Sequence, residues 1–143
     1  KDEKGYVSYY IDYDPIIDIS LLGLVEPFKV FSATDDKMKK TADLIEKKLL
    51  NKKVGGIKRY ENDKYIGGNP WIIATLWLAL FRIKQKEYEK AKELLYWVVK
   101  HKTCTGLLPE QINKDDGTPA WVIPLNWSHA MFIFTVQELA KLY

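Results

Sequence analysis

The apolar positions along the chain predict five helical segments. Two of these segments open on a cap residue followed by proline, the pair typical of a helix start, at Asp14–Pro15 and Asn69–Pro70. The segments run from Asp14 to Pro27 at the latest, from Thr34 to about Leu50, from Asn69 through Phe81, from about Lys86 to Lys100, and from about Pro124 to Leu142.

The five segments alternate between two kinds of pattern. The first, third and fifth are apolar on most sides, whereas the second and fourth carry a single apolar face, such as the stripe Met38, Ala42, Ile45 and Leu49. A helix that is apolar all round is buried all round, and an amphipathic helix covers a core from outside. This order predicts an all-α protein in which each inner helix of a ring is followed by an outer one.

Two loops in this arrangement are long, 51–68 and 102–123, and both lead from an outer helix to the next inner helix. They are therefore expected on one face, at the N-terminal ends of the inner helices. Loops longer than about 12 to 15 residues are uncommon unless they are functional. Within them, 54–60 and 120–123 are expected to form short extended pieces.

Composition and charge exclude several classes of protein. The 143 residues are 47% hydrophobic, enough for one domain with a core. The net charge of +3 is spread along the chain without a basic run that contains stacking aromatics, which argues against nucleic-acid binding. The longest apolar stretch, 71–81, is interrupted by Thr75 and is too short for a membrane span. We expect a soluble protein; the sequence does not determine its compartment, although the cytoplasm is favoured.

Cysteine and histidine provide no site of their own. The single cysteine, Cys104, excludes a disulfide framework, and no cysteine-based zinc site or other metal site is predicted. Cys104 and His101 lack a third orienting group, so they are interpreted as a coincidental surface pair rather than a catalytic dyad. His129, which follows Ser128, is expected to be a buried imidazole with a hydrogen-bond partner.

Loop 51–68 contains Arg59, one of only two arginines among the 22 basic residues. Arginine supplies a planar set of donors that lysine lacks, which indicates contact with a carboxylate or with paired hydroxyls. Two interpretations stay open: Arg59 holds a ligand, or it forms an ion pair with Glu61 or Asp63.

Loop 102–123 contains Glu110, in the stretch GLLPEQ. Neither helix formation nor a core requires a glutamate directly after Pro109. A carboxylate near tryptophans 71, 121 and 127 suits a sugar hydrolase, because apolar sugar faces stack on aromatic rings while a carboxylate activates water. A solvated loop glutamate is an equally good interpretation of the residues alone.

Three blocks together, RYENDKYIGGNPWIIATLWLA, GLLPEQ and PLNWSHA, resemble the C-terminal part of the catalytic domain of the glucoamylase family of glycoside hydrolases, family 15. The likeness is nearest to the bacterial and archaeal members and extends from about Ser20 to the end of the chain. It implies an (α/α)6 toroid of six inner and six outer helices. It also implies inverting, cofactor-free hydrolysis of terminal α-linked glucose from maltodextrins, starch, dextran or trehalose.

The resemblance also implies roles for four residues. Glu110 corresponds to the general base, Arg59 to an arginine that contacts the substrate sugar, and Trp71 to a tryptophan that lines the pocket. Trp127 corresponds to an aromatic residue that closes the site.

The chain departs from the family pattern in what it lacks. The family's general acid lies upstream in a block rich in tryptophan and glutamate, which is absent here, and five helices are fewer than half of a toroid. The N-terminus also has neither an initiator Met nor a signal-peptide pattern, so Lys1 looks like a cut point. We expect residues 1–143 to be one segment of a partial catalytic domain, with the remainder of that domain as its partner.

Such a segment is expected to be inactive alone and to self-associate through its exposed inner helices. A trehalase or glucodextranase of the same family, and a noncatalytic toroid module that binds sugar or protein, remain alternatives.

Overall fold

The computed structural model describes residues 16–141, which form a mostly helical fold with one small sheet. Among the helices of this part of the chain, none has the length and hydropathy of a membrane span. The elements in chain order are a 3₁₀ helix Ile19–Leu24, α1 Asp36–Leu49, β1 Ile57–Lys58, a 3₁₀ helix Tyr65–Gly67, β2 Pro70–Trp71, α2 Ile72–Lys84, α3 Tyr88–Lys100, β3 Gln111–Ile112, β4 Pro119–Ala120 and α4 Asn126–Ala140.

Helix α2 lies at the centre of the fold. All of its residues except Trp77 and Lys84 are buried, and α1, α3 and α4 each contact it. One side of α2 joins a core with α1 and the first 3₁₀ helix, and the other side joins a smaller core with α3 and β3. The prediction that the third segment is buried all round is confirmed.

Helices α1 and α3 are amphipathic, as predicted. Asp35 caps α1 by accepting a hydrogen bond from the backbone N–H of Lys37, at 2.8 Å. The predicted stripe on α1 is buried, and α3 buries Ala91 and Val98. Both helices therefore cover the core from outside.

Arg82 of α2 connects three elements from a buried position, with only 2% of its surface exposed. Its guanidinium donates to Asp43 and Glu46 of α1, and to Gln85 and Glu87 just before α3. Burial alone would lower the pKa of Arg82, but the hydrogen bonds to the carboxylates outweigh burial and raise it. Arg82 thus holds α1 and the start of α3 against α2.

The sheet brings the two long loops together. Its antiparallel strands lie in the order β1–β2–β3–β4, with Trp71 of β2 opposite both Ile57 of β1 and Gln111 of β3. Because β2 leads directly into α2, both loops meet at the N-terminal end of that helix. This confirms the prediction that they share a face, and it adds a sheet to the predicted all-α fold.

The prediction for the first segment is wrong in helix type. Its expected start at Asp14–Pro15 lies outside the described residues, and only Ile19–Leu24 are helical, as a 3₁₀ helix capped by Asp18. Asp18 also pairs with Tyr60 as an isolated bridge, and its own backbone is extended, with φ −129° and ψ 136°. A tertiary contact therefore overrides the helical pattern here.

The predicted starts of the third and fifth segments are both about two residues early. Helix α2 begins at Ile72, with Trp71 rather than Asn69 at the cap position, and α4 begins at Asn126. In the first case the cause is β2, because its pairing with β1 and β3 holds Pro70 and Trp71 extended.

Helix α4 departs from the prediction that it is buried all round. Only Ser128 and Thr135 are buried, whereas Trp127, Ile133 and Val136 are exposed. The helix packs mainly along α2, and within residues 16–141 no element covers its opposite side. Several apolar side chains of α4 therefore have no neighbouring element to pack against in this part of the chain.

Candidate active site

A cleft of about 640 Å³ opens where the sheet, the first 3₁₀ helix and the N-terminal ends of α2 and α4 meet. The four residues predicted from the sequence as functional, Glu110, Arg59, Trp71 and Trp127, all line it. They come from three separate stretches of the chain. The fold therefore brings together the whole predicted set.

The backbone of Glu110 is anchored on both sides. Its N–H donates to the carbonyl of Val122 at 2.9 Å, and its carbonyl accepts from the N–H of Ile72 at 3.1 Å. Ile72 is the first residue of α2, whose N–H has no partner within the helix. Glu110 is thus attached to the end of the most buried helix.

The Ser128–His129 pair holds the residues just before Glu110. The hydroxyl of Ser128 donates to the carbonyl of Pro109 at 2.8 Å, and Nε2 of His129 accepts from the N–H of Leu108 at 3.0 Å. His129 is therefore hydrogen-bonded as expected, but it is half-buried rather than buried. Both side chains act on the loop that presents Glu110.

The carboxylate of Glu110 faces the cleft and has a direct side-chain donor. Nε2 of Gln111 donates to Oε2 of Glu110 at 3.0 Å, and Gln111 is fully buried. Gln111 is not one of the predicted site residues, although it directly follows Glu110 in the sequence.

Arg59 forms the ion pair that one of the two interpretations left open by the sequence predicts. Its Nε and Nη2 each donate to the carboxylate of Asp63 at 3.1 Å, so the ion-pair partner is Asp63 and not Glu61. The guanidinium carbon lies 4.7 Å, 5.2 Å and 4.9 Å from the ring centres of Tyr60, Tyr65 and Trp71.

Enough of Arg59 remains free to bind a ligand. Its side chain is 34% exposed, and Nη1 has no hydrogen-bond partner among residues 16–141. Burial lowers the pKa of Arg59, but the bonds to Asp63 outweigh burial and raise it. The group is a fixed cation on the cleft wall.

Aromatic rings form much of the remaining wall. Tyr65 lies against Trp71, with ring centres 5.9 Å apart, and Trp77 of α2 meets Trp127 edge to face at 5.7 Å. Trp121 does not line the cleft but contacts Tyr65 at 6.2 Å. Apolar walls next to charged groups are typical of sugar-binding clefts.

Sequence reasoning missed several residues of the cleft. For Tyr65 a signal exists, because an aromatic residue in a polar, glycine-rich loop has no core to join. For Trp77 the uniform apolar pattern of α2 hides any signal. The missed lining residues are Asp18, Ile19, Ser20, Tyr60, Tyr65, Ile73, Ala74 and Trp77.

Two buried polar atoms at the cleft lack partners in the described part of the chain, the hydroxyl of Ser20 and Nε1 of Trp71. Buried polar groups are normally hydrogen-bonded.

Residues 16–141 contain no group of three or more His, Cys, Asp or Glu side chains that could hold a metal ion. Cys104 is exposed, and His101 packs on Trp97 with ring centres 4.5 Å apart. Neither Cys104 nor His101 lines the cleft.

Comparison with curated proteins places the chain among carbohydrate-active enzymes, although no protein-family model matches it. An uncharacterized glycosyl hydrolase of Methanocaldococcus jannaschii is 44% identical over 99% of the chain, which covers 25% of that relative. An isomaltose glucohydrolase of Kribbella flavida is 28% identical over 88% of the chain and 35% of the relative. A trehalase of Thermoplasma volcanium is 32% identical over 98% of the chain and 22% of the relative.

Solved structures give the same result. A glycosidase matches with a TM-score of 0.78 and 28% identity, over 89% of this chain and 37% of that one. A bacterial glucoamylase in complex with acarbose matches with a TM-score of 0.75 and 26% identity, over 88% of this chain and 20% of that one. The chain thus spans well under half the length of its relatives.

By sequence and structure, the chain resembles one segment of a glycoside hydrolase. Glucoamylases are among the enzymes that it resembles, and its fold is that of part of the (α/α)6 toroid of the family 15 enzymes.

Proposed function

We propose that the chain is the C-terminal segment of the catalytic domain of an inverting, exo-acting α-glucosidase of the glucoamylase type. The observation that carries the proposal is the position of Glu110, a carboxylate anchored by its own backbone on a cleft with Arg59, Trp71 and Trp127. We call the longer protein that contains this segment the parent protein.

Glu110 is the general base of the proposed reaction. Its carboxylate accepts a proton from a water molecule as the water oxygen bonds to the anomeric carbon and the glycosidic bond breaks. The proton that the leaving oxygen receives comes from a second carboxyl group, about 6.5 to 9.5 Å from the first in inverting enzymes. That acid is supplied by the part of the parent protein outside this segment.

Arg59 and the aromatic rings bind the sugar. The free Nη1 of Arg59 donates to sugar hydroxyls, and the apolar face of the glucose ring packs on Trp127, which is 51% exposed, and along Trp71. The ion pair with Asp63 keeps the guanidinium in place without a ligand. Because the acid and the opposite wall lie elsewhere in the domain, the isolated segment is inactive.

The names of two relatives favour a second candidate within the family. One is an isomaltose glucohydrolase and one a trehalase, so the parent protein would act on α-1,6-linked glucose or on trehalose rather than on maltodextrins. Assays of the parent protein on maltose, isomaltose and trehalose separate these activities. The alternative of a noncatalytic sugar-binding module predicts that the parent protein binds sugar but hydrolyses neither maltose, isomaltose nor trehalose.

The decisive test is Glu110→Gln in the parent protein, because the amide keeps the shape of the side chain but cannot take a proton. Hydrolysis is expected to be abolished, while sugar affinity, measured by calorimetry, changes little. Glu89→Gln on the exposed face of α3 makes the same change away from the cleft and should keep full activity. Substantial turnover by Glu110→Gln would contradict the assignment.

A further inference from the structure

Two buried side chains form a chain of hydrogen bonds that ends on the half-buried Glu110. Nδ2 of Asn69 donates to Oε1 of Gln111 at 3.2 Å, and Nε2 of Gln111 donates to Oε2 of Glu110 at 3.0 Å. Asn69 is 6% exposed and Gln111 is fully buried. Asn69 precedes β2 and does not line the cleft, so it reaches the carboxylate only through Gln111.

Backbone groups determine the direction of this chain. Oδ1 of Asn69 accepts from the N–H of Lys114 at 3.1 Å, and Nδ2 of Asn69 also donates to the carbonyl of Ile66 at 3.0 Å. A backbone N–H can only donate and a backbone carbonyl can only accept, so the amide of Asn69 has one permitted orientation.

The orientation of Asn69 in turn determines that of Gln111. Since Asn69 presents a donor, Gln111 must turn its carbonyl oxygen toward Asn69 and its NH₂ group toward Glu110. With the amide of Gln111 reversed, an oxygen would face the carboxylate and the hydrogen bond would become a repulsion. The backbone of Gln111 is held separately, by pairing with Trp71 and Ala120.

We propose that Asn69 is a positioning residue for the general base. It selects the amide orientation of Gln111 that donates to Glu110 and so aims the second carboxylate oxygen at the water. This inference rests on the proposed function of Glu110. It also explains why the Asn69 side chain is not used to cap α2.

The substitution Asn69→Asp in the parent protein tests the proposal, because it replaces the NH₂ group with an oxygen of the same size. Gln111 then turns its NH₂ group away from Glu110. We expect kcat to fall roughly 10- to 100-fold, the effect of losing one hydrogen bond to a charged group, with KM little changed. Asn69→Ala, a second variant that removes the donor without adding charge, should lower kcat in the same direction.

Asn113→Asp is the matched control. It makes the same chemical change in loop 102–123, which also contains Gln111, and its Oδ1 still accepts from the N–H of Asp115, as at 2.9 Å in the native chain. It should keep kcat within about twofold of the wild type, since no hydrogen bond joins its side chain to Gln111 or Glu110 within residues 16–141.

A double-mutant cycle separates positioning from general stabilisation of the fold. Gln111→Met removes the donor to Glu110 and should lower kcat by itself. If Asn69 acts through Gln111, Asn69→Asp causes no further loss of kcat in the Gln111→Met background. If the two losses multiply, or if Asn69→Asp keeps the wild-type kcat, the inference is wrong.

The two proposals fail in distinguishable ways. Turnover by Glu110→Gln would overturn the proposed function. An inactive Glu110→Gln together with a fully active Asn69→Asp would overturn only the role of Asn69.

Discussion

At the scale of single residues, Arg59 shows how one side chain serves the fold and the cleft together. Its two bonds to Asp63 come from one edge of the guanidinium, while the flat faces lie near Tyr60, Tyr65 and Trp71. The planar guanidinium is required for both kinds of contact. The ammonium group of a lysine is a point charge that cannot donate two parallel hydrogen bonds and also stack on a ring.

Arg59→Lys in the parent protein is therefore expected to weaken substrate binding. Lysine keeps the charge but loses the paired bonds and the stacking, so KM should rise roughly tenfold with a smaller change in kcat. Steady-state kinetics measure both constants. Lys64→Met, which removes an exposed cation from the same loop, is the control for net charge, and an unchanged KM in Arg59→Lys would argue against a role in binding.

At the scale of elements, helix α3 supports loop 51–68 through Trp97. The indole N–H of Trp97 donates to the carbonyl of Val54 at 2.8 Å, and its ring lies directly on Gly55 and Gly56. Gly56 has a φ of +74°, a conformation that favours glycine. The loop thus approaches α3 closely before it enters β1.

Gly56→Ala should be strongly destabilising. The added Cβ would lie 2.3 Å from the Trp97 ring, in addition to the strain of positive φ. We expect the free energy of unfolding to fall by about 2 to 4 kcal/mol. Gly106→Ala has a similar φ of +84° with nothing within 4 Å of the new Cβ, and should lose only about 1 to 2 kcal/mol. Urea unfolding of the parent protein measures both values, and equal losses would show that the close approach to Trp97 does not matter.

At the scale of the whole molecule, the main feature is the uncovered side of α4. Ile133 and Val136, one turn apart, are 55% and 38% exposed on a helix with few charges. Large exposed apolar patches mark surfaces that associate with other chains or domains. Because the chain spans 25% of the length of one relative, we propose that further helices of a toroid cover this side of α4 in the parent protein.

The isolated chain is therefore expected to self-associate. Light scattering should show a mass that increases with concentration, and Ile133→Glu should reduce it, because a charge on this face opposes burial. Lys47→Glu on the exposed side of α1 adds a carboxylate elsewhere and should leave the association unchanged. A strictly monomeric species at high concentration would contradict the expectation.

Sequence reasoning was most accurate where the signal is local. The stripe on α1 and the all-round apolar pattern of α2 depend on neighbours within a few residues, and the structure agrees with both. The predictions from sequence are wrong at the first segment and at Asn69. At these two places, contacts with Tyr60 and Gln111 replace the local preference for a helix.

The sequence by itself determined the α-helices α1 to α4 and the candidate residues Arg59, Trp71, Glu110 and Trp127. It could do so because side-chain periodicity and short motifs are properties of residues that lie close together in the sequence. Only the tertiary structure decided that these residues share one cleft, that Asp63 is the partner of Arg59, and that α4 is left partly uncovered. It also decided that Asn69 pairs with Gln111, which lies 42 positions further along the chain. Contacts of that kind depend on how loops close in space, which no local pattern encodes.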